Sequence, residues 1–211
     1  MGFEGAVKRV KAPGVFWLLT ALVAAGCGST GSSASPASSV ASRYAGGEVA
    51  APRTAPSLAL TNYDGTPVEL AQFRGRAVLV TFVYTHCPNV CSTIVANLGA
   101  AQRLLGAQAS RVQIIAVTTD PVGDTPAAVQ SFLAARGLTG KMMYLLGTPA
   151  AVKIAWLAWQ IAAAPDTQDP ALVDHTAAVF GVSASGKVVT IYPADVRPSD
   201  IVHDVPLLAG A

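Results

Sequence analysis

AVLVTFVYTHCPNVCSTIVANLGAAQRLL, residues 77–105, holds the three signals from which the fold is read. Ala77 to Tyr84 is continuously apolar, β-branched and aromatic, the pattern of a strand covered on both faces. From about Val90 to Leu105 the apolar residues fall at helical spacing, with Ile94, Leu98, Ala101 and Leu105 on one face. Between strand and helix stand two cysteines, Cys87 and Cys91.

The same alternation continues downstream. Val112 to Thr118 (VQIIAVT) reads as a second buried strand, ended by Asp120-Pro121. Asp124 or Thr125 followed by Pro126 offers an N-cap and a first-turn proline, and the helix they open runs to about Arg136, where Gly137 stops it. Met142 to Leu146 is a further strand candidate. Thr148-Pro149 opens a helix expected to run through Ala162, with Val152, Ala155, Trp156 and Trp159 on one face. A loop, Pro165 to Asp174, precedes a hairpin of Ala177 to Ser183 and Lys187 to Tyr192, and Pro198 to Leu208 suits a short closing helix. Upstream, LALTNYDGTPVEL (58–70) forms two short strands around the turn signal Asp64-Gly65. There is no internal repeat. The order predicts an α/β fold: a central mixed β-sheet flanked by helices on both faces, with an extra N-terminal β-hairpin. A cysteine pair on the loop from a central strand into its helix is the thioredoxin-like arrangement, although periodicity alone also permits other α/β sandwiches.

The first 26 residues belong to none of this. Lys8, Arg9 and Lys11 precede an apolar run from Val15 to Ala25, and small residues lead into Cys27. That is the layout of a secretory signal peptide, and a run of this length falls short of the roughly 20 residues that span a bilayer. Cys27 after small residues resembles a bacterial lipobox, where the cysteine takes a lipid, with Ala24 standing where such boxes usually have Leu. Residues 27–56 are mostly Gly, Ser, Ala, Thr and Pro, the composition of a flexible tether. The expected organisation is therefore a signal peptide at 1–26, a tether at 27–56 and one domain at 57–211, exported and lipid-anchored to the membrane through Cys27. The formal charge of +2 comes entirely from the leader, since Cys27 onward carries 11 basic and 11 acidic residues. A neutral domain gives no electrostatic reason to expect nucleic acid.

Cys87 and Cys91 are too close in sequence to serve as a staple, because so small a loop constrains little of the unfolded chain. At a helix mouth, free N–H groups and the positive end of the dipole favour thiolate over thiol. Four-residue spacing puts both sulfurs near one face. Two soft thiolates there suit Cu(I), and they can equally oxidise to a disulfide. The spacing is one residue longer than the C-x-x-C of redox enzymes. A metal needs a third ligand. His86 neighbours Cys87 and points elsewhere, and His203 lies in a polar stretch near the C-terminus. His175, in LVDHTAAVF, stands at a loop-to-strand junction that faces the cysteine loop in a thioredoxin-like layout.

YTHCPNVC (84–91), DPVGDTP (120–126), LTG (138–140) and DHTAAVFGVSASGKV (174–188) together resemble the Sco/SenC family of copper chaperones, in order and spacing, over about residues 58–192. The resemblance implies a thioredoxin-like fold that binds Cu(I) or Cu(II) through Cys87, Cys91 and His175. It also implies a role in building the binuclear copper centre of cytochrome c oxidase subunit II, or serving another extracytoplasmic copper protein. The means would be copper delivery (a metallochaperone), thiol reduction by the Cys87/Cys91 pair (an oxidoreductase), or both. Asn89 stands where the family usually has Asp, and Ser92 where it has Pro. Asp120, Asp124 and Asp174 match family positions and are assigned to turns, capping or support of the ligands, with one of them a candidate partner for the second ring nitrogen of His175.

Overall fold

The computed structural model describes residues 42–166, 168, 169 and 172–211. The strands and helices are, in chain order, β1 (Gly47–Thr54), β2 (Ala59–Asn62), β3 (Pro67–Glu69), β4 (Ala77–Val83), α1 (Val90–Leu105), β5 (Val112–Thr118) and α2 (Pro126–Ala134). They continue with β6 (Met142–Leu146), α3 (Pro149–Trp159), β7 (Ala163–Pro165), β8 (Val173–His175), β9 (Ala178–Val182), β10 (Lys187–Pro193) and α4 (Pro198–Ala209).

Every residue of β4 is buried, as its unbroken apolar run requires. It pairs in parallel with β5, from Ala77 opposite Val112 to Val83 opposite Thr118, and antiparallel with β9. The whole sheet runs β1-β10-β9-β4-β5-β6-β2-β3. Alternation along β4 splits the core. Leu79 and Val83 face Ile94 and Leu98 of α1, Leu133 of α2 and Val205 of α4. Val78, Val80 and Phe82 face the other way, toward Val152 and Trp159 of α3 and Leu58, Leu60 and Phe73 around the β2–β3 hairpin. Helices therefore cover both faces, and the loop after β4 emerges at one end of the sheet between them.

The caps follow the sequence signals. Thr125 accepts from the Ala128 N–H and Thr148 from the Ala151 N–H, each followed by proline at the first helical position. One helix end departs from expectation. α3 stops at Trp159, not Ala162, because Gln160 turns into the left-handed region (φ 60°) and leads the chain into β7.

The N-terminal boundary also differs. Residues 47–54 do not belong to a tether ending at 56; they form the edge strand β1 on β10, with a register irregularity between Glu48 and Arg53. Tyr44, further upstream, is buried. The sequence GEVAAPRT lacks a β-branched run, and its pairing is specified from a distance. Asp204 of α4, fully buried, accepts from the N–H groups of Ala45 (2.9 Å) and Gly46 (3.2 Å), the Tyr192 hydroxyl (2.8 Å) and His203 Nδ1 (2.6 Å). Gly46 fits here because a Cβ would lie 2.5 Å from Thr190 Oγ1 and 2.6 Å from the Tyr192 ring. The leader expected at 1–26, Cys27 and the tether up to residue 41 lie outside the described residues.

Asp204→Ala leaves two backbone donors and a buried phenol without an acceptor. The expected cost is about 3 kcal/mol, seen as a fall in Tm on the order of 10 °C. Tyr192→Phe, which removes one of the donors to Asp204 and leaves Ala45, Gly46 and His203 in place, is expected to cost about 1 kcal/mol. Thermal and urea unfolding of both variants measure the difference, and equal losses would contradict the anchoring role of Asp204.

Candidate metal centre

The loop from β4 to α1 sets the two sulfurs. Asn89 occupies the N-cap position, yet its side chain makes no capping bond. The sulfur of Cys87 takes that place, accepting the Cys91 N–H at 3.3 Å. Helix α1 thus begins at Val90, so Cys87 lies just before its cap and Cys91 within its first turn. Cys91 is fully buried and Cys87 is 8% exposed. Unpaired N–H groups and the helix dipole at this mouth stabilise negative charge on sulfur.

The third group arrives on a separate two-stranded ribbon, in which Ala163 of β7 pairs with His175 of β8. His175 Nε2 lies 3.3 Å from Cys91 Sγ. The ligand atoms of Cys87, Cys91 and His175 all fall within 4.8 Å of one another. Three ligands at metal bonds of about 2.0–2.3 Å would stand roughly 3.7 Å apart around a trigonal centre. Small side-chain shifts suffice. The other ring nitrogen, Nδ1, is 3.1 Å from the Thr176 carbonyl, which can only accept. Nδ1 therefore donates to it, and Nε2 is the ring nitrogen that faces the sulfurs. A backbone carbonyl does the work for which an aspartate was the candidate; Asp174 is exposed. Tyr84 braces the ribbon. Its ring meets the His175 ring edge-on at 5.8 Å, and its hydroxyl accepts the Val173 N–H at 3.3 Å.

The two thiols titrate as a pair. The hydrogen bond with Cys91 is the chief cause holding the Cys87 thiol well below the ordinary thiol range; burial opposes it, and His175 and the Cys91 and Asn89 N–H groups add to it. The same bond, followed by burial, pushes Cys91 far up. Of the two, Cys91 is therefore the sulfur that favours the thiol form and Cys87 the one that favours thiolate. A thiophilic metal held by Cys87, Cys91 and His175 would require the Cys91 thiol to release its proton.

The remaining candidates lie elsewhere. His86 is exposed and 3.1 Å from Thr85 Oγ1. His203, exposed on α4, is bonded to Asp204. Asp120 Oδ1 accepts from Val122 and Gly123, a turn role as expected. Asp124 is buried behind the loop, bonded to Thr85, Thr118 and Tyr144. Ser92 Oγ accepts from Arg136 at 3.0 Å. Cys87 and His175 line a cleft of about 220 Å³ with Tyr84, Pro88, Val90 and Val173, and Cys91 lies buried beneath it. A larger hollow of about 360 Å³ beside Leu58, Leu70, Phe73 and Arg74 contains no histidine or cysteine. Tyr84 and Thr176 support the site without any sequence signal, one hidden in an apolar run and the other acting through its backbone.

The SCO1/SenC family model matches residues 47–209. The SCO2 homologue of Bos taurus mitochondria is 30% identical over 141 residues, 64% of this chain and 51% of that protein. Protein SenC of Rhodobacter capsulatus is 32% identical over 132 residues, 60% of this chain and 58% of that protein. The chain thus spans between about half and three fifths of the length of these relatives. The solution structure of apo Sco1 from Thermus thermophilus superposes with a TM-score of 0.68 at 32% identity, covering 78% of this chain and 96% of that one. Bradyrhizobium japonicum ScoI with copper bound gives 0.66 at 26%, covering 74% and 99%. The family match runs from β1 through α4 and takes in both cysteines and the histidine. The fold is thioredoxin-like, and the chain belongs to the SCO1/SenC family.

Proposed function

We propose that this protein is an extracytoplasmic copper metallochaperone that helps assemble the binuclear copper centre of cytochrome c oxidase subunit II. The observation that carries the reading is the convergence of two sulfurs and one imidazole lone pair within 4.8 Å at a helix mouth. Two thiolates and an imidazole suit copper by softness, with Cu(I) favoured by the sulfurs. Three protein ligands fall short of the four of a closed structural zinc site, so a partner's ligand can enter while the metal is still held. That opening is what a carrier needs: copper is cargo, and ligand-by-ligand exchange moves it without releasing a free ion. The likeness to a copper-bound ScoI supports the choice of metal. The composition of residues 1–41 supports export and a lipid on Cys27, and among the described residues no helix is long and apolar enough to cross a membrane.

A second reading uses the same atoms as a thiol-disulfide oxidoreductase, and the split between the two thiols favours it. Cys87 thiolate would attack a partner disulfide, breaking its S–S bond and releasing one partner thiolate. Cys91 would then lose its proton and attack Cys87, releasing the second. The partner gains two electrons, and a Cys87–Cys91 disulfide holds the oxidised state.

Copper titration of the reduced protein is expected to saturate near one equivalent, to be abolished in Cys87→Ser and Cys91→Ser, and to weaken in His175→Ala. Saturation unchanged in His175→Ala would remove the imidazole from the site. The redox reading expects His175→Ala to keep its disulfide reductase activity. In cells, deletion lowers oxidase activity; rescue by added copper supports delivery, and rescue only by a reductant supports thiol exchange.

Iodoacetamide at neutral pH is expected to label Cys87 and leave Cys91 unmodified, since one sulfur is solvent-accessible and activated while the other is enclosed. Peptide mass mapping of the singly alkylated protein checks the order. Labelling of Cys91 first would contradict the assignment of attacking and resolving sulfurs.

A further inference from the structure

The loop that carries Cys87 is fixed to the body of the fold by short bonds at one point. Of its own internal bonds, Cys87 N–H to the Tyr84 carbonyl is long at 3.4 Å, and Cys91 N–H to Cys87 Sγ, at 3.3 Å, ties the sulfur to the helix start without tying the loop to the sheet. Thr85, two residues before Cys87, donates its N–H (2.8 Å) and its hydroxyl (2.7 Å) to one carboxylate oxygen of Asp124. The other oxygen accepts from the hydroxyls of Thr118 (2.6 Å) and Tyr144 (2.7 Å). Asp124 is 4% exposed, and its own N–H is tied to the Asp120 carbonyl at 2.9 Å. Thr118 ends β5 and Tyr144 lies in β6, so the carboxylate is immobile relative to two central strands.

Four donors fill the acceptor sites of an ionised carboxylate. Among the described residues no Lys or Arg forms an ion pair with it. Two of the four donors come from a single loop residue beside the metal ligands. A polar group placed only to hold β5 and β6 together would not need them.

We propose that Asp124 is a positioning residue for the metal centre, acting through Thr85 to set the reach of the Cys87 sulfur toward Cys91 and His175. The inference rests on the metal-site reading given above. Metal bonds of about 2.0–2.3 Å tolerate little drift in a ligand, and the groups that hold ligands in place commonly carry 10- to 100-fold of metal affinity. Thr85 is the link that can be cut without hollowing the core, because it is only partly buried whereas Asp124 is enclosed.

The test compares Thr85→Val, Thr85→Ser and Tyr192→Phe in the full chain, kept in detergent micelles. Cu(I) affinity is read by competition with a chromophoric chelator. Thr85→Val is expected to weaken binding about 10- to 100-fold, and Thr85→Ser, which restores the hydroxyl, to recover it. Tyr192→Phe, remote from the site, is expected to lower Tm and leave affinity unchanged. The rate of Cys87 alkylation in the reduced, metal-free chain supplies a readout that needs no copper. If the unaltered chain takes up no copper while Thr85→Val still changes that rate and Thr85→Ser restores it, the copper reading falls and the positioning role stands. Affinity and alkylation rate both unaltered in Thr85→Val, with only Tm lowered, overturn the proposal.

Discussion

A helix that starts at the end of a buried strand leaves its first N–H groups without intrahelical partners, and something must accept them. In α1 the Cys91 N–H is taken by the Cys87 sulfur, while Asn89 at the cap position leaves its side chain uncommitted. A capping duty thereby becomes a chemical one. The sulfur that satisfies the helix is the sulfur the helix dipole turns toward thiolate. Burial of β4 on both faces then requires that the loop emerge at a fixed place, between the helices on the two sides of the sheet. The position of the Cys87 sulfur follows from this junction, and its lean toward thiolate from the hydrogen bond with Cys91 first and the N–H groups there second.

Two buried aspartates solve the corresponding problem at the two places where irregular chain meets the sheet. Asp204 gathers Ala45, Gly46, Tyr192 and His203, and so locks β1 against β10. Asp124 gathers Thr85, Thr118 and Tyr144, and so locks the cysteine loop against β5 and β6. In each case main-chain N–H groups of a segment without regular structure find their acceptor in a side chain supplied from elsewhere in the fold. The desolvation of a carboxylate is offset only when its acceptor sites are filled, which makes each cluster all-or-none. His175 has no such buried-carboxylate anchor among the described residues. The ribbon of β7 and β8 rests on Tyr84, on the pairing of Ala162 with Thr176 and on the contact between His175 and Cys91.

Most of the fold was legible because most of it is written in local patterns. β4, β5 and α1 run between the residues that their apolar spacing marks, and the threonine-proline pairs open α2 and α3 where expected. What was not legible is specified at long range. β1 carries no strand pattern, so its eight residues read as tether until Asp204 and β10 are in place. β7 and β8 are three residues each, at the two ends of a stretch whose composition marks only a loop. His175 could be chosen from topology, since the junction before a late strand must face the cysteine loop. Its supporting acceptor could not: a carbonyl is common to every residue, and composition cannot single out that of Thr176.

The two functional readings differ in where one pair of sulfur electrons goes, and the geometry bears on both. In the metal-free protein the Cys91 sulfur lies against both the Cys87 sulfur and His175 Nε2, and its thiol proton must leave for either reaction. A metal would accept lone pairs from all three atoms at once, so it would gain from His175 held with Nε2 at 3.3 Å from Cys91 Sγ by the bond from Nδ1 to a carbonyl. Disulfide formation uses the imidazole only to remove the proton of Cys91, and a solvent base can do the same. An oriented, carbonyl-fixed imidazole brought in on its own ribbon is therefore far more than thiol exchange requires. It is what coordination requires, and on that ground the arrangement weighs toward carrying copper, with redox chemistry available to the same sulfurs whenever the metal is absent.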